Sequence, residues 1–260
     1  MDELDSTHPA RQIVPAATAV IFRNAPAGGA PELLMVERAT EMRFAADAAV
    51  FPGGRVDAAD RVLAATLAPH ADVEVTAARI AAIRETLEET GLAISLRTPV
   101  SAEEAAAART LLLAQGELGP VLDRFGWQLD LDSLVPFARW CPRHLARSFD
   151  TYFFLTDLGT GAVRIAVDAT ENSRLFWVTA AEALRRADAG DLRVIFPTRR
   201  NLERLAQFAS FAQARAHAEA IPVRTITPLT QEREGVRWLT IPEDLGYPVT
   251  GEPLSTVLRG

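Results

Sequence analysis

Three carboxylates share one helical face in the run Arg84-Glu85-Thr86-Leu87-Glu88-Glu89-Thr90-Gly91-Leu92. Glu85, Glu88 and Glu89 stand at i, i+3 and i+4, so their side chains converge at 3.6 residues per turn. Like charges at that spacing cost a helix roughly 0.2–0.5 kcal/mol per pair, which calls for a cation. Upstream, Phe51-Pro52-Gly53-Gly54 supplies a tight turn whose bare backbone can approach the same patch. Carboxylate and carbonyl oxygens are hard ligands and suit Mg²⁺ or Mn²⁺ better than Zn²⁺.

The elements that must position these groups are legible in the pattern. Ile80, Ile83 and Leu87 form a buried stripe, with the carboxylates predicted opposite the core. Thr76 is the expected N-cap of this helix, and Gly91 its left-handed C-cap. Residues 16–22 and 33–36 read as a hairpin, and 48–51 as a short strand delivering the Gly-Gly turn. A helix over 58–67 is expected within the stretch joining turn to helix. Ser101 caps a predicted helix over 102–115. Strand-length apolar runs follow at 134–140, 151–158, 163–167 and 175–178. Thr179 then caps a helix to 187, and Thr198 a single long helix to about 220. Strands, a central helix, more strands and a late helix make an α/β order.

Composition narrows the chemistry. The 260 residues can bury a substantial core. All 27 basic residues are Arg, and the absence of Lys excludes a P-loop or a Schiff base. A net charge of −7 argues against non-specific nucleic-acid binding. It leaves room for an anionic substrate, because a divalent ion reverses the field locally. The lone Cys141 excludes an intrachain disulfide and fits a reducing compartment; a buried thiol is the favoured reading. No apolar run has membrane-spanning length, and the acidic start lacks a secretory pattern, so the expected location is cytoplasmic.

Arg-Glu-x-x-Glu-Glu-x-Gly-apolar after a Gly-Gly turn resembles the Nudix box of metal-dependent diphosphate hydrolases. Here the box is split: Gly54 and Arg84 are separated by an insertion at about 55–75, and the Glu usually eight positions before the Arg is Thr76. A split box is similar to the subgroup containing the peroxisomal coenzyme A diphosphatase. The likeness extends to Val50–Asp57, to Ser148-Phe149-Asp150-Thr151 and to the run from Leu202 to Ser210. In that subgroup two basic residues precede Phe-Asp-Thr; the second is Ser148 here.

The resemblance implies a Nudix-type α/β/α sandwich with a mixed β-sheet. It spans 12–196, with 197–260 as a C-terminal helix and extension on the same domain. It implies Mg²⁺ or Mn²⁺ held by Glu85, Glu88, Glu89 and the Gly54 carbonyl. Arg84 would orient a glutamate through a bidentate pair, and Glu85 or Glu171 would act as general base, with Asp168 the nearby alternative to Glu171. Arg55 and Arg147 are the favoured phosphate contacts among Arg38, Arg43, Arg55, Arg143 and Arg147. Phe44, Trp140 and Tyr152 could stack on an adenine, although core packing is the simpler expectation. The four histidines show no metal spacing. The implied partner is a small-molecule diphosphate, with a homodimer left open and neither nucleic acid nor membrane expected. Coenzyme A or its thioesters head the substrates; ADP-ribose, dinucleotides and nucleotide sugars are the alternatives, with a non-catalytic ligand-binding regulator as the rival class.

Overall fold

The computed structural model describes residues 12–38, 47–142, 147–158 and 172–257. Strand β1 (Gln12–Arg23) is central to its mixed eight-stranded sheet. β1 meets β2 (Glu32–Arg38) at Phe22↔Leu33, which is the expected hairpin. The short strand β3 (Ala49–Val50) pairs with β2, and β4 (Gly53–Arg55) pairs with β1 at residues 16–18. The Gly-Gly turn is therefore bolted to the middle of the sheet by β-ladder bonds. The insertion begins as helix α1 (Ala58–Leu67), with the bounds read from sequence.

The carboxylate helix is α2 (Val73–Thr90). Its N-cap is Asp72, whose side chain accepts from the N–H groups of Glu74 and Val75, and not Thr76, which is buried inside the helix. An aspartate four residues upstream offers the same capping oxygen and so adds a turn. Gly91 closes the helix at φ 74°, as expected. Ile80, Ile83 and Leu87 are buried, but so are Ala77, Ala78, Ala81 and Ala82. Small side chains let α1, the sheet and the next helix crowd around α2 on several sides.

Helices α3 (Ala102–Gln115) and α4 (Leu118–Phe125) come before the sheet resumes. Ser101 caps α3 as expected, whereas α4 has no counterpart in the sequence reading. Strand β5 (Val135–Trp140) pairs antiparallel with β6 (Arg147–Asp157), which runs parallel to β1 along almost its whole length. Strand β7 (Asn172–Thr179) lies along β2. Residues 163–167, expected as a strand, lie outside the described residues. Helix α5 (Ala180–Asp188) starts at its predicted cap, Thr179.

The single long helix expected from Thr198 is two helices, α6 (Phe196–Leu205) and α7 (Phe211–Ala220). Pro197 fits the first turn of α6, where a missing N–H costs nothing, so the helix starts ahead of Thr198. The break follows from Ser210, whose hydroxyl accepts from Gln213 N–H and caps a new helix. Beyond it, β8 (Thr225–Ile226) joins the main sheet at β5, while β9 (Leu229–Arg233), β10 (Val236–Thr240) and β11 (Gly251–Pro253) form a separate sheet. A short α8 (Leu254–Val257) follows.

Two cores sandwich the main sheet, and β1 feeds both by the period of two. Ala17, Ala19 and Ile21 face α2, α3 and α4. Val20 and Phe22 face the opposite cluster with Leu202, Leu205, Ala214, Leu239 and Tyr247. That is an α/β/α sandwich with a mixed sheet.

Candidate active site

Arg84 is the hub of the site. It is 3 % exposed, yet five groups engage its guanidinium. Nε and Nη2 grip the two Asp60 oxygens at 3.1 and 3.0 Å. Nη1 donates to Glu85 Oε1 at 2.9 Å and to Glu88 Oε2 at 3.1 Å. Nη2 also donates to the Arg55 carbonyl at 2.8 Å, with Asp57 Oδ2 a further 3.5 Å contact. Burial alone would lower its pKa, but the bonds to Asp60 and the charges of Glu85, Asp60 and Asp57 outweigh that and push it up. A guanidinium is the suitable hub, because its flat fork serves several oxygens at fixed angles.

The bidentate partner of Arg84 is thus Asp60, and not a glutamate of the box as expected. Asp60 is 1 % exposed on the first turn of α1, and its Oδ2 also accepts the Asp57 N–H at 2.9 Å. An acid from the start of the insertion thus pairs with Arg84, while position 76 is a buried Thr. The sequence signal of that acid was Asp57-Ala58-Ala59-Asp60, an acid at the N-cap and again three residues on.

The Gly-Gly turn is pressed against β1 at Gly53 and against the Glu85 side chain of α2 at Gly54. Gly53 donates its N–H to Glu89 Oε2 at 3.0 Å. A Cβ at Gly53 would lie 2.3 Å from the Ala17 carbonyl oxygen, and one at Gly54 would lie 2.3 Å from the Glu85 carboxyl carbon. Glu89 is consequently buried at 6 % exposure, so its end of the carboxylate face is covered by the turn and not solvated. Glu85 and Glu88 keep 15 % and 25 % of their side chains exposed, which leaves this edge open to a ligand.

Among the described residues no three acid, imidazole or thiol groups form a ready-made metal cluster. Arg84 holds Glu85 and Glu88, and Gly53 holds Glu89, so the face is ordered around a guanidinium and an amide. The donor set still fits a hard divalent ion: three carboxylates on one turn, one of them pressed against the Gly54 backbone.

The other expected residues divide clearly. Arg55 is exposed beside the site, and its carbonyl serves Arg84. Glu171, Asp168, Arg43, Phe44 and Arg143 lie outside the described residues, as does the side chain of Arg147. Ser148 is 2 % exposed and donates to the Pro142 carbonyl, so this departure removes no charge from an open surface. Trp140 is a core residue at 1 % exposure, and Cys141 is buried. Tyr152 is half-buried, stacked on Phe154, with the Arg139 guanidinium 4.7 Å from its ring centroid. One residue near α2 was missed altogether: Arg109 of α3, whose Nε donates to the Glu88 carbonyl at 2.9 Å.

No family model and no curated protein sequence matches the chain. Solved structures do. A NUDIX hydrolase from Alicyclobacillus acidocaldarius superposes with a TM-score of 0.67 at 29 % identity, over 80 % of this chain and 97 % of that one. A MutT protein from Methanosarcina mazei Go1 gives 0.44 at 16 % identity, over 76 % and 96 %, a likeness on which nothing below rests. The fold is that of a Nudix hydrolase. That likeness supports an enzyme of the Nudix hydrolase type. Among the described residues no helix is long and apolar enough to cross a membrane.

Proposed function

We propose that the chain hydrolyses the diphosphate linkage of a nucleoside diphosphate-linked compound with Mg²⁺ or Mn²⁺, and that coenzyme A or an acyl-coenzyme A is its substrate. The observation that carries the reading is the Arg84 hub, which orders Glu85 and Glu88 beside a glycine turn that also holds Glu89. Glu85, Glu88, Glu89 and the Gly54 carbonyl would hold the metal. Once bound, such an ion polarises phosphoryl oxygens and lowers the pKa of water. Arg84 keeps the carboxylates in place, and Glu85 or Glu171 accepts the proton of the attacking water. Arg55 and Arg147 meet phosphate oxygens, and the segment 55–75 borders the substrate. A cytoplasmic location completes the proposal.

The test is kcat/KM over coenzyme A, an acyl-coenzyme A, ADP-ribose, a dinucleotide and a nucleotide sugar, with Mg²⁺, Mn²⁺ or EDTA. Products are identified by mass. Metal-dependent release of adenosine 3′,5′-bisphosphate and a phosphopantetheine product is expected. A preference of about tenfold for another member of the panel would overturn the substrate and keep the chemistry. Turnover that persists in EDTA would overturn the chemistry.

A further inference from the structure

Helix α3 sends one arginine back to the end of the carboxylate helix. The Glu88 carbonyl is among the last four of α2, which have no acceptor role within the helix and otherwise fray or seek water. Leu87 is served by the cap N–H of Gly91. The Glu88 carbonyl is served by Arg109 Nε at 2.9 Å, across 21 residues of sequence. The positive guanidinium also stands at the negative end of the helix dipole. Its base is firm: Ala105, Ala108 and Leu112 bury the same side of α3, and Trp127 Nε1 donates to Glu104 Oε1 at 2.6 Å to tie the helix to the segment behind α4.

From this contact we infer that Arg109 is a positioning residue: it pins the last turn of α2 through the Glu88 backbone and so fixes where the Glu88 and Glu89 carboxylates stand. Arg84 constrains Glu88 from its side chain, and Arg109 constrains it from its carbonyl. With both in place the glutamate has little freedom in either rotamer or backbone. Losing one leaves the other side loose, and ligands set by such outer contacts weaken sharply when these are removed. The inference rests on the proposed metal-dependent activity, and the experiment separates the two.

Arg109→Ala and Arg109→Lys are compared with the wild type by Mn²⁺ titration, followed by electron paramagnetic resonance on protein without substrate, and by steady-state kinetics. Arg109→Ala is expected to weaken Mn²⁺ binding about tenfold and to lower kcat about tenfold, with KM changed less than about twofold. Its thermal midpoint should stay within about 3 °C of wild type. Lysine keeps a charged donor for the carbonyl and should recover most of both losses. Unchanged Mn²⁺ affinity in Arg109→Ala, or a KM increase with kcat intact, overturns the positioning role; the latter would make Arg109 a substrate contact. If no diphosphate is turned over but Mn²⁺ affinity still falls, the proposed activity has failed and the positioning of Glu88 stands.

Discussion

Two helices of this molecule each bury an arginine at the sheet, and they treat the charge in opposite ways. Arg84 on α2 is matched by Asp60, Glu85, Glu88 and Asp57, and its pKa is pushed up. Arg204 on α6 is 1 % exposed, and no carboxylate of the described residues pairs with it. Its Nη1 donates to the Phe137 carbonyl at 2.9 Å, and its guanidinium lies 4.0 Å from the Phe137 ring centroid and 5.2 Å from that of Tyr247. Burial pushes its pKa down. Tyr247 is in turn fixed by Trp140 Nε1, which donates to its hydroxyl, and by Asn201 Oδ1, which accepts from it. The first arginine organises oxygens that reach an open edge. The second fastens the C-terminal segment to the core, with rings in place of counterions. Burying an arginine is thus not itself a mark of function; what surrounds its charge tells the two apart.

The contrast can be broken most sharply by deleting each charge. Arg84→Met strands several carboxylates in a covered site and should cost about 3–5 kcal/mol in urea unfolding, with most activity lost. A loss below about 1 kcal/mol would mean that the hub is not what holds α1 to α2.

Glu88→Gln comes next. It should lower kcat about a hundredfold while the thermal midpoint stays within about 3 °C, because the amide keeps an oxygen for Arg84. Wild-type turnover in this variant would remove Glu88 from the chemistry.

At the other helix, pH is the probe. Burial is the main reason that Tyr247 is pushed up to about 12 from its ordinary value of 10.0. The raised pKa means that its contribution is complete below about pH 10 and is lost as pH climbs toward 12. Chemical unfolding should therefore show about 2 kcal/mol of stability disappearing over that window. Tyr247→Phe should flatten the slope; an unchanged slope would point to another group.

Arg204→Met should have the smallest effect, within about 1 kcal/mol of wild type, because no opposite charge is left behind. A cost like that of Arg84→Met would mean that rings and a carbonyl balance a buried charge as well as carboxylates do.

Much of the fold and part of the site follow from local rules. The Gly91 cap, the Ser101 and Thr179 caps, the bounds of α1 and the stripe of Ile80, Ile83 and Leu87 all depend on residues within a few positions of one another. Glu85, Glu88 and Glu89 converge for the same reason, since helical pitch alone places them. Other features were decided by contacts between distant segments. Asp60 reaches Arg84 across 24 positions and Arg109 reaches Glu88 across 21, distances at which no periodicity carries information. The burial of Glu89 needed the Gly-Gly turn to be held against α2 by its ladder with β1. The division of α6 from α7 turned on Ser210 capping a new helix where the apolar spacing runs on unbroken. The sequence by itself determined which groups could do the chemistry, because their spacing is a property of one helix. Only the tertiary structure decided which partners hold them, because a buried charge takes whatever oxygen the packing brings within reach.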